Sequence, residues 1–322
     1  MKLKGSLNSL SAKKVIALFV SGGALFFGLR IYQTLSLIDP QTGFFTDKEN
    51  ITVPLFYALA AALAIITPIL LYLTPLSRAA YIEPKENVFH AVCCFGLGLG
   101  AAYSAYITSK KYTNEKDLLV LIILSALSAV VLIANAVGFF TNGKLVQKLK
   151  IPNLIPVLWA MLLTVSNFNI TSGYLANTLI LINIFADAFL MLFLFQYAKK
   201  FSGINGSENS PIFIYSGLIC SLFEITAFAA SVISVFVKHA TSSFTAFAPY
   251  RLFAALFSVS ALIIMLNNKV PDAPEIEDED EEVIETEPFA PMEEENADEN
   301  TNDSSDENSA ENTNEITNEN EA

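Results

Sequence analysis

Charged residues are scarce in this sequence, and they are unevenly placed. Only 16% of the 322 residues are Asp, Glu, Lys or Arg, whereas 53% are hydrophobic. Residues 271–322 contain no Lys or Arg and 22 of the 32 acids, so they carry a charge of −22. Residues 1–270 hold all 19 basic residues and ten acids, which gives +9. The net charge of −13 therefore describes an acidic tail attached to a basic body.

Motifs of soluble enzymes are also missing. The chain has no phosphate-binding glycine loop, no zinc-binding HExxH, no CxxC pair and no nucleophile elbow. Gly96, Gly98 and Gly100 are no dinucleotide fingerprint, because they lie within an apolar run without a preceding strand. Gly96, Gly100 and Ser104 instead predict a helix face of small residues that allows close packing. We expect no cofactor, no nucleic-acid partner and no enzyme activity, with an intramembrane enzyme as a distant alternative.

Cysteine is rare, and its positions exclude a disulfide framework. Cys93, Cys94 and Cys220 all lie inside apolar runs. His90 shares a helix face with the first two, which is a spacing that a metal site permits. Zinc usually takes four ligands, however, and the only other histidine, His239, is expected at the opposite side of the membrane. We predict no metal site and a hydrogen-bonded His90.

What the chain has in abundance is long apolar runs. A helix needs about 20 mostly apolar residues to cross a bilayer. The runs are continuous, whereas barrel strands alternate, and helices satisfy their own backbone in hydrocarbon. Eight candidate spans result. They cover approximately 15–37, 53–74, 87–109, 118–141, 153–170, 174–198, 211–237 and 245–267.

The fifth candidate span is the weakest of the eight. It is short and contains Pro152, Pro156, Asn167 and Asn169. The sequence therefore predicts an all-α membrane protein with a bundle of about eight transmembrane helices, or seven if the fifth is lost or re-entrant. This transmembrane domain covers 1–270, and the acidic tail, 271–322, is too polar to fold and is predicted to be disordered.

The distribution of basic residues predicts the orientation. Four lysines and no acid precede the first run, which is too long for a signal-peptide core and reads as an uncleaved span. Placing the N-terminus inside puts twelve Lys and Arg on the inner side and seven on the outer side. Both termini are then cytoplasmic. Lys110, Lys111 and Lys116 lie on the outer side and run against this bias.

Two acids lie deep inside apolar runs. Asp187 and Glu224 are each expected about 18–20 Å from the inner end of consecutive antiparallel helices, near the midplane. Asn183 lies one turn from Asp187, and Ser221 lies one turn from Glu224. These polar neighbours predict that the helix faces carrying the two acids point into the bundle. Two close carboxylates in a low dielectric are not both ionised, which favours a proton or cation site. The alternative is that each acid is protonated and hydrogen-bonded to a neighbouring helix.

Two arginines complete the candidate site residues. Arg30 is expected close to the outer interface, and Arg251 opens the last span, also outside. Both positions are too far outward to neutralise the two acids directly. We expect these side chains to reach headgroups or to bind an anionic ligand at the outer mouth.

The stretch LRIYQTLSLIDPQTGFF, residues 29–45, resembles the end of the first span in uncharacterised multi-spanning membrane proteins of Firmicutes. The resemblance implies a bacterial plasma membrane and no particular activity. The function that the residues favour is small-solute transport coupled to a proton or cation at Asp187 and Glu224, within the lipid bilayer. The alternative is a non-catalytic sensor or scaffold whose acidic cytoplasmic tail binds a basic protein partner.

Overall fold

The computed structural model describes nine stretches of the chain. They are 12–39, 42–47, 49–74, 85–111, 116–141, 143–171, 178–201, 210–239 and 248–267. All of them fall within the predicted transmembrane domain, 1–270. The predicted disordered tail, 271–322, lies outside the described residues.

Most of the described residues are helical, as the continuous apolar runs predict, and the stretch 42–47 forms turns and bends. Shorter elements are a helical turn at Lys144–Lys148, a 3₁₀ turn at Pro152–Leu154 and a π-helical end at Ile233–Val237. No strand occurs in these stretches; a single antiparallel bridge joins Ile38 to Phe45. The eight long helices are α1 (Ala12–Ser36), α2 (Thr52–Tyr72), α3 (Val88–Lys111), α4 (Lys116–Thr141), α5 (Ile155–Thr171), α6 (Thr178–Phe201), α7 (Ser210–Val232) and α8 (Tyr250–Asn267).

Seven of these helices are long and apolar enough to cross a membrane, and α5 is the exception. With 17 residues, α5 measures about 26 Å, which is less than the ~30 Å of a hydrocarbon core. The helices also expose large apolar side chains, such as Leu25 at 68% and Val130 at 66%. Exposing such an apolar surface to water is energetically unfavourable, whereas exposing it to lipid chains is not. The chain is an integral membrane protein, and its all-α class is confirmed.

The helices differ in how deeply they are embedded in the bundle. Only 17% of the central window of α2 is buried, compared with 56% in both α3 and α7. Helices α1 and α2 pack on each other and on α7, whereas α8 packs on both α7 and α3. The centre of the bundle is therefore built from α3, α6, α7 and α8, and the α1–α2 pair is peripheral.

The predicted face of small residues on α3 is confirmed as a packing surface. A Cβ atom on Gly100 would lie 2.6 Å from the Cβ of Tyr250, and one on Gly96 would collide with the ring of Phe253. The two glycines therefore let the backbone of α3 approach the first turn of α8 closely. This contact fixes the position of Tyr250 and of Arg251 beside it.

Candidate functional site

Asp187 on α6 and Glu224 on α7 lie close together, as predicted, and both are fully buried. Arg251 on α8 lies between them. Its Nη1 is 3.1 Å from Glu224 Oε2 and 3.2 Å from Asp187 Oδ1. Its Nη2 donates to Asp187 Oδ2 at 3.2 Å. We call these three residues the carboxylate–arginine triad.

The expectation that Arg251 is too far outward to neutralise the acids is wrong. The helix α8 begins at Tyr250 and not near residue 245, so its first turn lies deeper than predicted. Arg251 is about 24 Å from the last residue of α8 along the helix axis. Asp187 and Glu224 are each about 21 Å from the corresponding ends of α6 and α7. All three side chains therefore lie at one depth.

A local signal for this helix start is present in the sequence. Pro249 directly precedes Tyr250, and proline favours the beginning of a helix because its backbone angle suits the first turn and it lacks an N–H to donate. The N–H of Arg251 bonds to the carbonyl of Ala248 at 3.2 Å, next to this start. Counting the span from Pro249 would have placed Arg251 near the carboxylates.

Two further donors hold Asp187, and sequence reasoning did not assign either of them to the site. The Tyr250 hydroxyl donates to Asp187 Oδ1 at 2.9 Å. The Asn167 amide, on α5, donates to Asp187 Oδ2 at 2.6 Å. Asp187 therefore accepts bonds from three side chains on two other helices. Asn167 lies 20 residues before Asp187, on the neighbouring helix of the predicted hairpin. The sequence signal that could have identified it is that both residues lie at a similar depth on the two paired helices.

Glu224 is held much more loosely than Asp187. Its Oε2 accepts from Arg251, and its buried Oε1 has no hydrogen-bond partner among the residues that the structure describes. An unpartnered carboxylate oxygen in a low-dielectric interior is unfavourable when ionised, whereas a protonated carboxyl removes that charge. The two acids are therefore not equivalent, and a proton is accommodated more readily on Glu224, at its unpaired Oε1.

The triad carries more negative than positive charge. With both acids ionised, two carboxylates face one guanidinium, and the sum is −1. The first turn of α8 adds the positive end of a helix dipole, because Tyr250 and Arg251 are its first two residues. One proton shared between the two acids makes the cluster neutral, which is the favourable state in a hydrocarbon environment.

Asn183 and Ser221 were predicted to share this site, but the structure does not bring them into it. Asn183 is half-buried, and the amide that bonds to Asp187 belongs to Asn167. The Ser221 hydroxyl donates to the Leu218 carbonyl of its own helix at 2.8 Å, and Ser221 lines a groove on another side of α7. A residue one helical turn from Asp187 or Glu224 lies on the same face of the helix. Its side chain does not therefore contact the partners of those acids.

Arg30 lies apart from the triad, close to the end of α1 as its predicted depth implies, but it is buried and does not open onto an outer mouth. Its side chain is fully buried, with Nη1 donating to Thr178 Oγ1 at 2.9 Å and Nη2 to the Thr178 carbonyl at 3.0 Å. The guanidinium also lies 5.4 Å from the centre of the Phe56 ring. Arg30 therefore joins α1 to the start of α6.

His90 forms a second polar cluster, and its predicted hydrogen bonding is confirmed. Its Nδ1 is 2.7 Å from Ser260 Oγ, and its Nε2 is 3.2 Å from the Tyr197 hydroxyl. Ser260 donates its own proton to the Phe257 carbonyl. The Nδ1–H of His90 therefore donates to Ser260, and Nε2 accepts from Tyr197.

Aromatic rings separate this His90 cluster from the triad. Asp187 and Tyr197 lie about 15 Å apart along α6. The rings of Phe193 and Phe257, both fully buried, pack between these levels with their centres 5.8 Å apart. These two rings therefore lie between the triad and the end of the bundle where His90 lies.

The triad has to be interpreted from its own chemistry, because no family model, curated protein or solved structure matches this chain. Its geometry brings three charged groups from three helices to one depth. The surplus negative charge and the free oxygen of Glu224 suit the exchange of one proton or one monovalent cation.

Proposed function

We propose that the protein transports a small solute across a bacterial plasma membrane, and that the carboxylate–arginine triad takes up and releases one proton or monovalent cation in each cycle. The observation that carries this proposal is that two buried carboxylates share one arginine, while Glu224 Oε1 is left without a partner. A purely structural ion pair needs only one acid for one arginine.

The two acids have different roles in this cycle. Asp187 stays ionised and holds Arg251, since it already accepts bonds from Tyr250, Asn167 and the guanidinium. Glu224 exchanges the proton, because one of its oxygens is free. Protonation of Glu224 weakens its bond to Arg251 and lets α7 and α8 move relative to each other. Proton binding is thereby coupled to a conformational change.

The depth of the α8 start supports the same proposal. In many secondary transporters, coupling ions and substrates bind near the midplane, where a helix begins or ends within the membrane. Here α8 begins at the depth of Asp187 and Glu224, and its dipole end faces their charges. Such an arrangement stabilises an anion or a carboxylate at the start of the helix.

The proposed orientation has both termini in the cytoplasm. The orientation rests on the excess of lysine and arginine on that side, whereas the bacterial plasma membrane rests on the resemblance of residues 29–45 to bacterial membrane proteins. Reporter fusions after residue 44 and after residue 145 check it. An enzyme active only outside the cytoplasm is expected to work at the first position and not at the second, and the reverse result would contradict the orientation.

Transport is tested with sealed membrane vesicles from cells that make the wild-type protein, Glu224→Gln or the matched control Ser221→Ala. Vesicles receive a small-solute extract of the same cells and an imposed gradient of one pH unit, or a sodium gradient in a parallel arm. One proton per solute supports up to about tenfold accumulation at one pH unit. We expect at least one solute to accumulate in wild-type and Ser221→Ala vesicles only, as measured by mass spectrometry.

Ser221 is the appropriate control because it lies one turn from Glu224 but bonds only to its own helix. A protonophore should abolish proton-driven uptake. Identical solute contents in all three vesicle types and in vesicles without the protein would overturn the proposal. That outcome would favour the sensor or scaffold function, in which truncation after Lys269 removes the activity and the triad variants do not.

A further inference from the structure

A groove opens sideways between α2, α6 and α7, away from the triad. Its volume is about 240 Å³, and its walls are almost wholly apolar, with Phe185 and Phe223 among them. Tyr57 and Phe185 are 40% and 46% exposed on the surface that faces lipid. We call this space the lateral groove. Its width and its opening suit an acyl chain entering from the bilayer.

Among the described residues, the hydroxyl groups in the wall of the lateral groove lie together. Thr178 and Tyr57 line it, and the Tyr57 hydroxyl is 3.4 Å from Thr178 Oγ1. Thr178 Oγ1 accepts bonds from Arg30 and Tyr57, which leaves the Thr178 proton available to donate. Because Thr178 is the first residue of α6, this polar end of the groove lies where lipid headgroups meet the hydrocarbon.

Arg30 lies directly behind this polar end with an uncompensated charge. Within the described stretches its side chain bonds to Thr178 alone, and its buried Nε–H has no partner there. No carboxylate in the described stretches forms an ion pair with it. Arg30 also lies at the start of α6, where the helix dipole is positive and disfavours a cation. A buried charge in this setting requires an anion.

We propose that the lateral groove binds one anionic phospholipid, with an acyl chain along the apolar wall and the phosphate at Thr178 and Tyr57. The phosphate accepts from the Thr178 hydroxyl and, when the Tyr57 hydroxyl exchanges its long bond to Thr178 for one to the phosphate, from Tyr57 as well. Its charge neutralises that of Arg30 behind them. The bilayer supplies this ligand at high local concentration, and a zwitterionic lipid of the same chain length lacks the net charge that the site needs. The proposal is independent of the transport cycle.

The test uses the purified full-length protein in detergent and two probes with identical chains, phosphatidylglycerol and phosphatidylcholine. Native mass spectrometry counts bound lipid, and thermal unfolding measures stabilisation. We expect wild-type protein to retain one phosphatidylglycerol and to unfold at a higher temperature with it than with phosphatidylcholine. Arg30→Met should weaken phosphatidylglycerol binding at least about tenfold, since a charge-assisted contact is lost.

Two further variants keep the test decisive. Lys110→Met removes an exposed cation that packs over Tyr106, so it should leave phosphatidylglycerol binding unchanged. Ala61→Trp fills the groove without touching Arg30, and it should displace the lipid even if Arg30→Met fails to fold. Equal binding of both lipids by the wild-type protein would overturn the proposal. Retained binding in Ala61→Trp, or equal losses in Lys110→Met and Arg30→Met, would also overturn it.

Discussion

Arg251 and Arg30 are both buried in the bundle, yet their surroundings have opposite charge. Arg251 contacts two carboxylates, so its cluster has one negative charge too many when both acids are ionised. Arg30 contacts a threonine and an aromatic ring, so its surroundings have one positive charge too many. The comparison teaches that burial alone does not define the role of an arginine. The charge that each site lacks predicts the kind of ligand that it binds. The Arg251 cluster is predicted to bind a cation or proton, and the Arg30 site is predicted to bind an anion.

The largest expected effect is that of Arg251→Met. It leaves two buried carboxylates facing each other without a cation, which should lower the free energy of unfolding by about 3–5 kcal/mol. Denaturant unfolding in a neutral detergent measures it. The same replacement at Arg30 is the matched control. If both variants lost equal stability, the contrast between the two arginines would be false.

The next effect separates the two acids. Asp187→Asn disturbs bonds from Tyr250, Asn167 and Arg251, and it should destabilise the protein by about 2–3 kcal/mol. Glu224→Gln leaves one acid for one arginine and should change stability by less than about 1 kcal/mol. Unfolding of both variants at neutral pH checks this order. A reversed order would assign the exchanging proton to Asp187.

A smaller effect is expected for Tyr250→Phe. The variant keeps the ring that packs on Trp159 but removes the bond to Asp187 Oδ1. It should lower stability by about 1–2 kcal/mol, because the bond ends on a charged acceptor. Tyr197→Phe, which removes a hydroxyl in the His90 cluster, is a control with intact triad contacts. Proton-coupled uptake should fall in the first variant and persist in the second.

The smallest effect on stability is expected for Arg30→Met in neutral detergent. The variant loses two bonds to Thr178, but it also removes a buried charge without a counterion, and the two changes offset each other to within about 1 kcal/mol. In phosphatidylglycerol the wild-type protein should become the more stable of the two. A large loss of stability in neutral detergent would show that the charge of Arg30 is already compensated.

Much of this arrangement could be predicted from the sequence, because hydrophobic runs and residue counts determine depth. They identified the helices and the shared level of Asp187 and Glu224. They did not identify the donors around Asp187, since Asn167 and Tyr250 belong to other helices and lateral packing is not encoded in depth. Arg251 was misplaced because hydropathy alone set the start of its helix, although Pro249 marks the true start. Arg30 was placed on the correct helix but not in its buried setting.

The order of residues in the triad has a consequence for how the protein is made. The acids at 187 and 224 are synthesised before the arginine at 251, which follows them by 64 and 27 positions. At typical translation rates of ~5–20 residues per second, roughly 1–5 s pass between Glu224 and Arg251. Asn167 precedes both acids in the chain, so this donor to Asp187 is made before them. A chain that ends before Tyr250 lacks the tyrosine and the arginine that bond to the acids, and the last helix therefore completes the site.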